Sequence, residues 1–184
     1  MSTLQWSLII LSSFLIGFSK TGVGGFLLPV IPIMAAVFGG MSSTGILLPL
    51  LLAGDVIALY YYKKHGNWDD LRKILPWAFA GLALGAVVGN NIDDRQFNTI
   101  ISFSIILCLA LLIYSEKKGG ELQLPNRLWF CAFVGLTAGF TSMIGNAAGP
   151  VFTLYLLSRG VEKTEFMGTT TWFFFIINLT KLPL

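Results

Sequence analysis

The chain has 184 residues, 55% of them hydrophobic and 11% charged, with 12 Lys and Arg against 9 Asp and Glu, a net charge of +3 and mean hydropathy +0.77. Soluble domains carry roughly 25% charged residues, and so few charges cannot clothe a water-facing surface of this size, which excludes a soluble globular domain. The basic balance is not a nucleic-acid footprint either, because Lys and Arg flank apolar stretches and form no stripe with interleaved aromatics.

Hydrocarbon offers no partner to a backbone N–H or C=O, so membrane spans are helices or closed barrels. The apolar runs here are continuous and not alternating, which predicts helices. In chain order they cover residues 4–18, 23–39, 43–62, 73–91, 97–114, 127–143, 147–158 and 167–184. No Lys or Arg precedes Lys20 and no small-residue cleavage site follows the first run, so it reads as a retained membrane segment and not as a removable signal peptide. Several runs fall short of the roughly 20 residues of a straight span. The pairs flanking Ser19–Gly22 and Ile144–Ala147 are therefore expected to be half-helices meeting inside the membrane, or else full spans in a locally thinned bilayer.

The connections Lys63 to Lys73 and Ser115 to Arg127 are basic, whereas Asp93 to Gln96 holds two acids and one Arg. The positive-inside rule places the first two in the cytoplasm and the third outside. Trp68, Trp77, Trp129 and Tyr60, Tyr61, Tyr62 and Tyr114 fall near these boundaries, where an aromatic belt belongs. Cys108 and Cys131 lie in apolar runs without CxxC spacing and, with the single His65, are too few for a metal site; both read as core residues. No cofactor motif is present.

Self-comparison shows a repeat. Gly17-Phe18-Ser19-Lys20-Thr21-Gly22-Val23-Gly24-Gly25-Phe26-Leu27-Leu28-Pro29 recurs in outline as Gly139-Phe140-Thr141-Ser142-Met143-Ile144-Gly145-Asn146-Ala147-Ala148-Gly149-Pro150. Ser43-Thr44-Gly45, before a run ending near Asp55, is echoed by Met167-Gly168-Thr169, before a run ending near Asn178. Same order and nearly constant offset mark two copies of one unit. The fold class expected is thus all-α: a polytopic transmembrane protein of two repeats, residues 1–118 and 125–184, the second C-terminally incomplete, with broken or re-entrant helices at the Gly-rich motifs. Five crossings per unit make the second copy inverted; a parallel repeat with re-entrant hairpins is the alternative.

The chemistry sits at the two gaps. Gly22, Gly24 and Gly25 follow Ser19, Lys20 and Thr21 inside apolar sequence; glycines free backbone N–H groups, and the helix that resumes after them points its positive end at the gap. Such a gap suits an anion, to which Lys20 adds a charge and Ser19 and Thr21 add hydroxyls. The second gap offers Thr141, Ser142, Gly145 and Asn146; close helix packing is the competing role for the glycines. Asp55 stands alone in an apolar run, which is costly in lipid unless it lines a cavity, takes a proton or lies near the wetted interface, and is the candidate for proton coupling. Lys20→Met is expected to fold and lose anion transport. Lys181, late in its run, is expected to snorkel to the interface. No HExxH, GxSxG or phosphate loop occurs, so an enzyme is not expected.

These residues resemble the TauE/SafE (DUF81) sulfite exporter-like permeases. The likeness rests on Gly17-Phe18 through Gly24-Gly25-Phe26 and Pro29, on Gly139-Phe140 through Gly145 and Pro150, on Gly54-Asp55, and on Tyr62-Lys63-Lys64-His65-Gly66-Asn67-Trp68-Asp69. It departs from a fully Gly-rich second motif at Asn146, Ala147 and Ala148. The resemblance implies transport of sulfite, sulfonates or related organosulfur anions across an inner membrane by a multi-pass permease. The partners expected are a small anionic substrate and the lipid bilayer, with no nucleic acid; the oligomeric state is open, a homodimer included. A passive anion channel and a membrane scaffold are the other classes weighed.

Overall fold

The computed structural model describes residues 3–21, 27–93 and 128–183, and between the last two blocks positions 95, 96, 98–100, 102, 103, 106, 110 and 113. Gly22, Gly24, Gly25, Cys108 and most of the expected segment 97–114 lie outside the described residues. Among the described residues, seven α-helices have defined bounds: α1 Thr3–Ser19, α2 Leu27–Phe38, α3 Gly40–Tyr62, α4 Trp68–Gly89, α5 Leu128–Gly145, α6 Gly149–Ser158 and α7 Lys163–Lys181. No strand occurs among the described residues, as continuous apolar runs require. Three stretches, Ser42–His65, Trp68–Gly89 and Leu128–Gly145, are long and apolar enough to cross a membrane.

At 1.5 Å per residue α2 and α6 extend only about 18 and 15 Å, half a hydrocarbon core. Each is followed within two residues by a glycine with positive φ, Gly39 (86°) and Gly160 (63°). That left-handed conformation is open to glycine at no steric cost, and it turns the chain from each half-helix into a longer one. A half-helix, a glycine turn and a longer helix thus follow one another in both stretches, α2–α3 and α6–α7.

Helices α4 and α5 are packed backbone on backbone. Gly81 and Gly85 on α4, and Gly135 and Gly139 on α5, are spaced four apart and face the partner helix. A methyl on Gly139 would strike the Ala78 carbonyl, one on Gly81 the Leu136 carbonyl, and one on Gly135 would come within 2.8 Å of the Ile74 carbonyl. Small residues at this spacing let membrane helices approach closely enough for dispersion to act over their whole length. Contacts advance in the same direction along both chains, so α4 and α5 run parallel. Around them Leu71, Ile74, Ala78, Leu82, Val134, Ala138, Phe152 and Phe173 are buried, with the rings of Phe152 and Phe173 stacked 3.9 Å apart at 7°.

Helix α3 runs antiparallel to α7, because Asp55 meets Asn178 and Lys63 meets Trp172. The turn at 63–67 is pinned to the start of α7. Trp172 Nε1 donates to the Lys63 carbonyl (3.1 Å), the Asn67 amide N–H to Thr169 Oγ1 (2.9 Å) and Asn67 Nδ2 to Glu165 Oε1 (2.6 Å). Asn67 also caps α4, its Oδ1 accepting from the backbone N–H of Asp69 and Asp70. This cap starts α4 five residues before the apolar run. Asn67→Ala is expected to cost about 1 to 2 kcal/mol by losing cap and cross-helix bond together, read as unfolding in micelles, with exposed Asn91→Ala near zero.

The polar connection Lys63 to Lys73 is not wholly solvated, as its charge suggested. Asp70 is 2% exposed, paired with Arg159 Nη2 at 3.2 Å and accepting from the Tyr155 hydroxyl at 3.3 Å. Cys131 is buried and its Sγ lies 3.8 Å from that hydroxyl.

Candidate functional site

One group of polar residues inside the apolar body converges where the ends of α1 and α5 meet α3 and α7. Asp55, at 0% exposure, has both carboxylate oxygens held: Lys20 Nζ donates to Oδ1 at 2.6 Å and Asn178 Nδ2 to Oδ2 at 2.7 Å. Burial without a partner would be prohibitive for a carboxylate, and charge-assisted bonds at these distances offset much of that cost. The wetted-interface reading of Asp55 is thereby removed. Lys20 also faces the Phe174 ring at 5.1 Å.

One turn beyond Asn178 on the same face of α7, Lys181 is buried at 5% exposure, which corrects the expectation that it snorkels. Its ammonium donates to the Ser142 carbonyl and Oγ, each at 3.2 Å, and to Asn146 Oδ1 at 2.6 Å. The physical reason is local: at the C-terminal end of α5 the Ser142 carbonyl and hydroxyl and the Asn146 amide oxygen stand together as acceptors for the ammonium. Asn146 itself has φ 53°, a conformation Asn tolerates better than most residues. Its Nδ2 lies 3.4 Å from the Thr44 carbonyl, and Thr44 Oγ1 donates to the Ile144 carbonyl at 3.1 Å.

Of the residues singled out in the sequence, Lys20, Asp55, Ser142 and Asn146 are thus brought together, and Gly145 is buried at the end of α5. Ser19, Thr21 and Thr141 are at the same helix ends, but their hydroxyls donate to the backbone of their own helices, at 2.8, 2.7 and 2.8 Å. Gly22, Gly24 and Gly25 are outside the described residues. Of the described residues, Leu27 and Ile31 of α2 pack with Ile144 and Ala147. Sequence reasoning missed Asn178, Lys181 and Thr44 as site residues. The signal for Asn178 was present, as the repeat aligns it with Asp55, and Lys181 follows it by three residues.

Beside this network lies a cavity of about 230 Å³. Thr44, Gly45, Asn90, Asn146 and Lys181 bring polar atoms to its wall, and Leu48, Ala86, Met143 and Ile144 supply apolar area. Pro49 in α3 cannot donate to the Gly45 carbonyl one turn back. The volume is below the roughly 300 to 1,000 Å³ of pockets for drug-sized ligands, a size for a small solute.

Residues 9–184 match the family model described as Sulfite exporter TauE/SafE. The chain belongs to the TauE/SafE sulfite exporter family. Its all-helical fold, with three helices among the described residues long and apolar enough to cross a membrane, agrees with a membrane protein. A protein of Haemophilus influenzae named probable membrane transporter protein is 31% identical over 94 residues, 50% of this chain and 36% of the relative. The probable membrane transporter protein MamO of Paramagnetospirillum magneticum is 35% identical over 60 residues, 33% of this chain and 8% of that protein. The matches therefore span about a third and less than a tenth of those relatives' lengths. No solved structure matches the chain.

Proposed function

We propose that the protein carries small sulfur oxyanions, sulfite or sulfonates, across a cell inner membrane as a multi-pass permease, with the cavity walled by Lys181, Asn146 and Thr44 as the place the anion occupies. The observation that carries this reading is a buried ammonium at the wall of a small cavity, with the Asn146 amide and the Thr44 hydroxyl beside it. An anion leaving water needs compensation for its lost hydration, which a cation and oriented N–H groups supply. The antiparallel course of α3 and α7, the third helices of the two units, supports the inverted form of the repeat, in which both units contribute to one central site.

The direct test is uptake of labelled sulfite and of a labelled sulfonate into liposomes holding the purified protein. Saturable uptake that follows an imposed proton gradient is expected; uptake linear in concentration would favour a passive channel, and none at all a non-transporting scaffold. Asn146→Gly keeps the left-handed backbone and removes the amide that holds Lys181. Loss of a hydrogen bond to a charged group, about 1.5 kcal/mol, is expected to raise the apparent KM about tenfold.

A further inference from the structure

Among the described residues, the buried centre holds two lysines and one carboxylate. Lys20 takes that carboxylate in an ion pair, while the acceptors that the described residues offer Lys181 are neutral: a backbone carbonyl, a serine hydroxyl and an amide oxygen. The only other ion pair among the described residues, Arg159 with Asp70, lies at the far end of α7. Counted over the described residues, the centre therefore carries one positive charge in excess whenever Lys181 is protonated, at the wall of the cavity.

We infer that Lys181, and not Asp55, is the group through which anion and proton are linked: it holds its proton while a monoanion occupies the cavity and yields it when the anion leaves. This rests on the reading of the cavity as the anion site. A buried ammonium without a counter-charge is costly in a low-dielectric interior, and an arriving monoanion supplies that charge. By reciprocity, whatever makes the proton bind more tightly with the anion present makes the anion bind more tightly with the proton present. Asp55 is less suited, since Lys20 and Asn178 both donate to it and protonation would break those bonds. The hydrogen-bond geometry at Lys181 accommodates both forms. As an ammonium it donates three bonds. As an amine it can still donate to the Ser142 carbonyl and Asn146 Oδ1 while the Ser142 hydroxyl, a donor or acceptor as needed, turns to donate to its lone pair. The charged groups that face Lys181 from neighbouring helices are Asp55 on α3 and Lys20 at the end of α1; the described cavity-lining residues from α4 and α5 are uncharged. His65, Glu165, Asp70 and Arg159 belong to the other end of α7.

The consequence is symport of one proton with one monoanion, and an affinity that falls as pH rises. The probe is methanesulfonate, because sulfite itself takes up a proton near neutrality and would confuse the count. Its binding to the purified wild-type protein is expected to weaken about tenfold per pH unit over the range where Lys181 gives up its proton, and adding it to lightly buffered protein should withdraw protons from solution. Lys181→Arg keeps a cation that does not titrate; it should still bind methanesulfonate, with no pH slope and no proton uptake. Lys181→Met should bind at least tenfold more weakly than wild type at low pH, again without slope. A wild-type slope surviving in Lys181→Arg or in Lys181→Met, or wild-type binding with neither slope nor proton uptake, overturns the inference while leaving the anion site standing. Failure of the wild type to bind either methanesulfonate or sulfite at any pH overturns the anion-site reading itself.

Discussion

Gly139→Ala is expected to destabilise the protein by roughly 3 kcal/mol or more, or to leave no folded protein in the membrane. Overpacking a tight core costs about 1 to 3 kcal/mol when side chains can shift, but here the atom struck is a backbone carbonyl on α4, Ala78 O. It can retreat only if the whole helix does. Moving α4 away would also break the reciprocal contacts at Gly81, Gly85 and Gly135. Gly89→Ala is the control, since a methyl there meets nothing within 4 Å and alanine is the better helix former by up to about 1 kcal/mol. Unfolding of both variants in micelles decides the matter. Equal stabilities would mean that α4 and α5 are not packed as described.

Lys20→Met is expected to lose both transport and much of its stability, a change from the expectation drawn from sequence, in which the variant folds normally. The structure supplies the reason: removing the ammonium leaves Asp55 charged at 0% exposure with Asn178 alone to hold it. Breaking one side of a buried pair costs roughly 3 to 5 kcal/mol. Lys20→Met combined with Asp55→Asn removes both charges and should regain most of the stability, while transport stays lost. If the single variant unfolds like wild type, the pair is not buried as described.

Helix placement was legible because apolar runs bounded by charge are what the bilayer enforces; α3, α5 and α6 agree with the sequence reading to within a few residues. The starts of α4 and α7 were read late, because Asn67, Asp69, Lys163 and Glu165 are polar and their role as cap and cross-link shows only once the two helices are side by side. The repeat, visible in glycines and hydroxyls, led toward the site. What it could not show was that charge is distributed differently in the two units: a cation on the first helix of one, Lys20, and on the third helix of the other, Lys181. Polar residues read in isolation, such as Asp55 and Lys181, look like liabilities placed near an interface. Only their convergence from helices more than 100 residues apart in sequence, as in the pairing of Asp55 with Asn178, shows them satisfied. The packing glycines were masked by their resemblance to gap glycines, since Gly139 belongs to both patterns.

The α4–α5 contact also limits which parts of the protein can shift as cargo passes. Two helices that touch through carbonyls and α-carbons have no soft layer between them, and sliding one by a single residue's rise, about 1.5 Å, would drive main-chain atoms together. Helices α1 and α2 rest on α3 through Ile16, Val30, Met34, Leu47 and Leu51, methyl on methyl, where rotamer changes accommodate small translations. Displacement is therefore cheapest for α1 and α2, and Lys20, directly after α1, would carry or break the bond to Asp55 as α1 moves.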